Sequence, residues 1–236
     1  MPRFTQEAKD RLAGKTPENR RAIKVEYGKI MNTEQVIQVI SRMSHRMEKE
    51  KAFLTDLDNA IADGDHGINM AKGFAAVEAK LDGLKEKDIG TILKTVGMTL
   101  VSAVGGSAGP LYGTAFMRAG MVAADKKEIG INDFLSCMDA AVQGVMARGK
   151  SVYGEKTMLD SMIPAIDAMK KANAGGSLPK AVLEAGVKAA FEGVEYTKTI
   201  AATKGRASYI GERSIGHEDP GAVSFTYLLG EIADSL

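Results

Sequence analysis

Between Leu57 and Met70 the chain reads LDNAIADGDHGINM. Asp58, Asp63 and Asp65 fall within eight positions, with His66 directly after. Carboxylates this close repel one another unless a cation or water compensates. A solvated turn with capping acids is one reading. A hard divalent cation held by oxygens is the other. The spacing does not fit an EF-hand: counting from Asp56, Ala60 and Ile61 stand where an oxygen ligand and a glycine belong. Zinc would want cysteine or more histidine. Magnesium, which shares carboxylates with phosphate oxygens and water, fits better. Such oxygen-rich sites seldom recruit imidazole, so His66 suits a supporting or phosphate-contacting role.

Three further polar segments interrupt an otherwise apolar pattern: GGSAGPLYGT (105–114), RGKSVYGEKTM (148–158) and KGRASYIGERSIGHEDPGA (204–222). A glycine pair, small residues and Pro110 at a helix start expose backbone N–H groups, which suits an anion. Taken alone, the segment reads more economically as a tight helix–helix turn. It is not a Walker loop, since no Gly-Lys-Ser/Thr follows, and no strand-linked GxGxxG is present. Arg206 could bind phosphate or pair with a surface acid. His217 reads better as a cap for a neighbour than as a catalytic group.

The elements that must carry these segments are helices. Val36, Ile40, Met43 and Met47 repeat at helical spacing after Asn32, with Gln35 completing a capping box. Met70, Phe74, Val77 and Leu81 form a second stripe. Ile89, Leu93, Val96, Leu100 and Val104 form a third, stopped by Gly105-Gly106. Pro110 opens a fourth helix to Ala124. Asn132 or Asp133 caps a fifth ending at Gly149, with Leu135, Met138, Val142 and Val145 on its face. A sixth carries Met158, Met162, Ile166 and Met169, with Pro164 expected to kink it. Ser177 and Pro179 open a seventh with Val182, Val187, Phe191 and Val194. Asp219-Pro220 open an eighth. No two-residue alternation calls for a sheet. Glycines and alanines within the helices predict close packing, and the thirteen methionines read as core filler. Alternate loops of an antiparallel array reach the same end, so a ring of helices would gather the four polar segments.

Composition bounds the rest. The 236 residues suit one domain, and 44% apolar residues supply a core. Lys+Arg 31 against Asp+Glu 30 argues against a nucleic-acid partner. Cys137, the single cysteine, reads as a buried thiol. No apolar run reaches the length of a membrane span, and MPRFTQEAKDRLAGK lacks a signal region, so a cytoplasmic location is expected. Residues 1–30 are charge-rich and weakly periodic, and read as an N-terminal extension without assigned function; residues 31–236 read as the functional domain.

In this order and spacing, the four segments resemble the ADP-binding L subunit family of the dihydroxyacetone kinases, the DhaL or DAK2-type domain, over residues 31–236. The resemblance implies an all-α barrel of eight antiparallel amphipathic helices with nucleotide at one rim. It implies Asp58, Asp63 and Asp65 as ligands to a pair of Mg2+ ions. It implies nucleotide contacts from His66, Gly67, Ile68, Asn69, Ser107, Ala108, Gly149, Met158, Arg206, Asp219, Pro220 and Gly221, with Met158 on adenine. No further catalytic group is implied, because the family's substrate histidine lies on a separate K subunit that holds dihydroxyacetone. ADP would stay bound and cycle to ATP, with a phosphohistidine protein of the phosphotransferase system as donor. Relatives also imply alternatives: an ATP-exchanging subunit for a ketose such as erythrulose, a nucleotide-sensing partner of a transcription regulator, and assembly as a homodimer. The chain departs from the family twice. Ser107 precedes Ala108 where Ala-Ser is common, which shifts a hydroxyl contact, and Ala62 replaces a common glycine.

Overall fold

The computed structural model describes residues 29–236. The N-terminal extension read at residues 1–30 therefore lies, but for its last two residues, outside the described residues. Among these, nine α-helices and one short ribbon form the fold: β1 (Lys29–Asn32), α1 (Thr33–Lys49), α2 (Lys51–Ile61), α3 (His66–Glu78), α4 (Ile89–Ala103), α5 (Ala108–Val122), β2 (Glu128–Gly130), α6 (Ile131–Gly149), α7 (Leu159–Ala174), α8 (Pro179–Thr197) and α9 (Pro220–Ala233). None of these helices is long and apolar enough to cross a membrane.

The helix starts follow local chemistry. Asn32 Oδ1 accepts from Gln35 N at 2.9 Å, and Asn32 N donates back to Gln35 Oε1 at 2.9 Å. Asp88 caps α4 through Thr91 N, and Asp219 caps α9 through Ala222 N. Pro179 is the first residue of α8, where its missing N–H costs nothing. At α6 the expected cap is displaced. The helix begins at Ile131 after Gly130, and Asp133, inside the first turn, reaches back to Gly130 N at 3.1 Å.

The structure adds two elements to the sequence reading. The first is α2. The chain stays helical after a break at Glu50, so Leu57–Ile61 belongs to a helix and the acidic loop shrinks to residues 62–65. The second is the antiparallel pairing of β1 and β2, Lys29 with Gly130 and Asn32 with Glu128. Strands of four and three residues are too short for alternation to show.

Packing closes on itself. In order, α1, α3, α4, α5, α6, α7, α8 and α9 each touch the next, and α9 returns to α1; α2 lies on α3 and α9. Close approach is bought with glycine. A Cβ on Gly97 of α4 would come within 2.6 Å of the Gly113 carbonyl of α5. One cluster of buried apolar residues fills the interior. Met43, Met47, Met70, Met162 and Met169 belong to it, whereas Met98 and Met121 are exposed. Phe191, expected on the apolar face of α8, is also exposed.

Candidate functional site

The acidic segment is split between two elements. Asp58 sits in the last turn of α2 and is 6% exposed. Its Oδ2 accepts from Asp65 N at 2.9 Å and His66 N at 3.2 Å, so it ties down the start of α3. Between Asp63 and Asp65 the chain turns at Gly64, φ +71°, where a Cβ would collide with the Asn59 side chain. Asp58, Asp63 and Asp65 each bring a carboxylate oxygen to within 4.8 Å of the others. Two unit charges 4 Å apart repel by about 4 kcal/mol at an effective dielectric of about 20. The protein's own answer is Arg206, whose guanidinium pairs with Asp63. An all-oxygen donor set of this kind fits a hard divalent cation such as magnesium.

The glycine-rich loop lies against it. After α4 ends, Val104 is extended, Gly106 takes φ +64°, and α5 starts at Ala108. The positions a Cβ would take on Gly105 and Gly106 face Asn69 and the Asp65 carboxylate, at 3.1 and 3.8 Å. The start of α5 and the acids thus line the same cavity, and a helix start carries free N–H groups suited to an anion beside a metal.

His66 Nε2 lies 2.9 Å from Ser224 Oγ, and Ser224 Oγ lies 2.7 Å from the Tyr112 hydroxyl. Burial pushes His66 down to about 4 against the pull of Asp65, so its imidazole is neutral at neutral pH. Asp219 is pushed up to about 7 by burial; the Ala222 N–H and Lys156 oppose the shift, and the charges of Asp160 and Asp58 add to it. Asp160, fully buried, accepts backbone N–H bonds from Gly154 and Thr157 and holds the loop before α7. Burial lowers the Lys156 ammonium, while Asp219 and Asp160 pull it back up.

These elements enclose a cavity of about 520 Å³. Its wall contains Asp58, Asp63, Asp65, His66, Ser107, Ala108, Gly149, Met158, Arg206, Asp219, Pro220 and Gly221. Gly67, Ile68 and Asn69 are not part of that wall. Gly67 packs on Lys51 and Thr55, Ile68 is 49% exposed, and Asn69 abuts Gly105. The wall also includes Tyr112, Arg148, Ser151, Lys156, Thr157 and Lys204, which the sequence reading did not single out. All six fall inside the four polar segments, so the signal was their company rather than their type. His217 supplies a backbone carbonyl to Lys156. The cavity therefore joins a cluster of acids, a helix N-terminus and the cations Arg148, Lys204 and Arg206, an arrangement suited to a metal-bound phosphate ester.

Comparison with known proteins shows the family. The family model described as the DAK2 domain matches residues 60–234. The chain is 40% identical over 199 residues to the PEP-dependent dihydroxyacetone kinase, ADP-binding subunit DhaL, of Escherichia coli (strain K12), covering 84% of this chain and 95% of the relative. It is 42% identical to the corresponding subunit of kinase 1 from Listeria innocua, covering 80% and 89%. Among solved structures, the dihydroxyacetone kinase from C. freundii in complex with AMP-PNP and Mg2+ superposes with a TM-score of 0.65 at 21% identity. That match spans 85% of this chain and 34% of the kinase, and it shows a shared fold. The chain belongs to the DAK2-domain family, as a DhaL-type member.

Proposed function

We propose that this chain is the nucleotide-binding subunit of a dihydroxyacetone kinase. In this reading it carries ADP and magnesium, accepts phosphate from a phosphohistidine protein of the phosphotransferase system, and passes it to dihydroxyacetone on a separate K subunit. The observation that carries it is that Asp58, Asp63 and Asp65, their oxygens within 4.8 Å of one another, line the same cavity as the N-terminus of α5. The relatives' names, ADP-binding subunits of PEP-dependent kinases, supply the substrate and the donor class.

Phosphoryl transfer asks a protein mainly for positioning and charge neutralisation. Asp58, Asp63 and Asp65 would hold the metal, which when bound neutralises charge on phosphate oxygens. The backbone N–H groups at Gly106–Ala108 orient the phosphates. Arg206 has two roles open to it, since the same guanidinium that now meets Asp63 reaches the space in front of the acids. Met158, 5% exposed in the cavity wall beside Gly221, offers an apolar face to a base.

The test is chemical. The purified chain is denatured, and the released material is assayed for nucleotide and magnesium. ADP near one equivalent, accompanied by magnesium, is expected. A chain that emerges empty and then binds neither Mg-ADP nor Mg-ATP would overturn the proposal.

A further inference from the structure

Lys156 has no role in the chemistry above, yet it is among the most constrained side chains in the fold. The residue is 1% exposed, and its backbone is left-handed, φ +60°, a conformation uncommon for lysine. A lysine ammonium has three hydrogens to donate and accepts none. Here it faces three carbonyls: Thr197 at the end of α8, Ile200 at 3.5 Å, and His217 just before the cap of α9.

Those carbonyls stand at the two ends of one excursion of the chain, residues 198–218. Other bonds pin the same neck. Gly216 N donates to the Lys198 carbonyl at 2.7 Å, Asp219 N to Thr197 Oγ1 at 3.0 Å, and Ala202 N to Ser214 Oγ at 2.8 Å. In the far part of the loop Ala207 is buried beside Ile61 and Ala202, with Ile210 packed on them. Gly205 and Gly211 have φ +64° and +55° with open space where a Cβ would stand, and Tyr209 is 87% exposed. That part carries Lys204 and Arg206 into the cavity wall.

We propose that Lys156 is a positioning residue: its ammonium clips the neck of the 198–218 loop and so fixes where Arg206 meets the nucleotide's phosphates. This rests on the nucleotide reading of the cavity. It adds a residue whose charge is turned to the protein's own carbonyls and acts through Arg206.

The experiment is a double-mutant cycle with Lys156→Met and Arg206→Met, read by calorimetric binding of Mg-ADP and of adenosine. Each single variant should weaken Mg-ADP by about tenfold or more, the loss of a charge-assisted bond. Adenosine, which has no phosphate, should bind all of them within about twofold of wild type. The double variant should bind Mg-ADP within about twofold of Arg206→Met alone. Losses that multiply in the double variant, or a parallel loss of adenosine, would overturn the proposal. If Lys156→Met does not fold, hydrogen–deuterium exchange on the nucleotide-free wild-type chain decides. Ala202, Gly216 and Asp219 at the neck should exchange slowly, and residues 204–209 fast. A neck as labile as the tip sinks the clip, whatever the chain binds. Wild-type chain with a protected neck that binds no ADP would instead defeat the nucleotide reading, and this role with it.

Discussion

Asp219 is a carboxylate in a place where ionisation is costly. It is 9% exposed, caps α9 through a 2.7 Å bond from Ala222 N, and stands near the charges of Asp160 and Asp58. Its pKa rises from an ordinary 3.8 to about 7. A folded-state value above the unfolded one means that folding tightens the proton's hold. The associated stability is complete below the unfolded value and is lost as the pH climbs through 7. Asp219→Asn keeps a capping oxygen and removes the titration. Relative to wild type, this variant should therefore gain about 2–3 kcal/mol between pH 5 and pH 8, measured by urea unfolding without metal or nucleotide. A difference that does not change with pH would show that burial does not control this group. The aspartates of the site were legible in the sequence because acids packed beside glycine need a reason. Lys156 was not, since a lysine reads as a surface residue by type. Its burial depends on carbonyls contributed by Thr197 and His217, which only the fold brings near.

At the scale of elements, apolar spacing and caps reveal most helices, but not how near they come. Pro164, within α7, has no N–H to offer the Asp160 carbonyl, and that carbonyl lies against Gly193 of α8. A Cβ on Gly193 would sit 2.1 Å from it. Gly193→Ala should push α7 and α8 apart and cost about 1–3 kcal/mol or more in urea unfolding. Gly230→Ala is the control. It lies within α9 with no atom within 4 Å of a new Cβ, so helix propensity alone predicts a gain of up to about 1 kcal/mol. Equal effects of the two would refute close backbone packing as the reason for Gly193. The same contrast explains what the sequence hid. The helix α2 carries Leu54, Asp58 and Ile61 on its buried side, but its end coincides with the acids and reads as part of their loop. The ribbon depends on one pairing across about a hundred residues, which no local pattern announces.

At the scale of the whole molecule, the four polar segments are the α2–α3, α4–α5, α6–α7 and α8–α9 connections. They are every second connection, and in a closed circuit of helices every second connection reaches the same end. The opposite end holds the ribbon and the Asp88–Asp125 contact. One end is thus stitched together by hydrogen bonds, and the other keeps a cavity lined by both acids and cations, with Arg206 paired to Asp63. Folding free energy and ligand binding should therefore be coupled in a particular way. The phosphates of ADP alone would meet three carboxylates, and magnesium alone would find Asp63 held by Arg206. Together each screens the other's repulsion. For chain stripped of nucleotide, magnesium and ADP supplied jointly at about 100 times their dissociation constant should add about 2.7 kcal/mol. In a domain of this size that is a rise of about 5–10 °C in the unfolding midpoint. ADP with a chelator should give a small fraction of that shift, and Asp63→Asn should lose most of the joint effect. A shift of the same size with and without magnesium would mean that the acids do not hold a metal against the nucleotide, and the site would need another explanation.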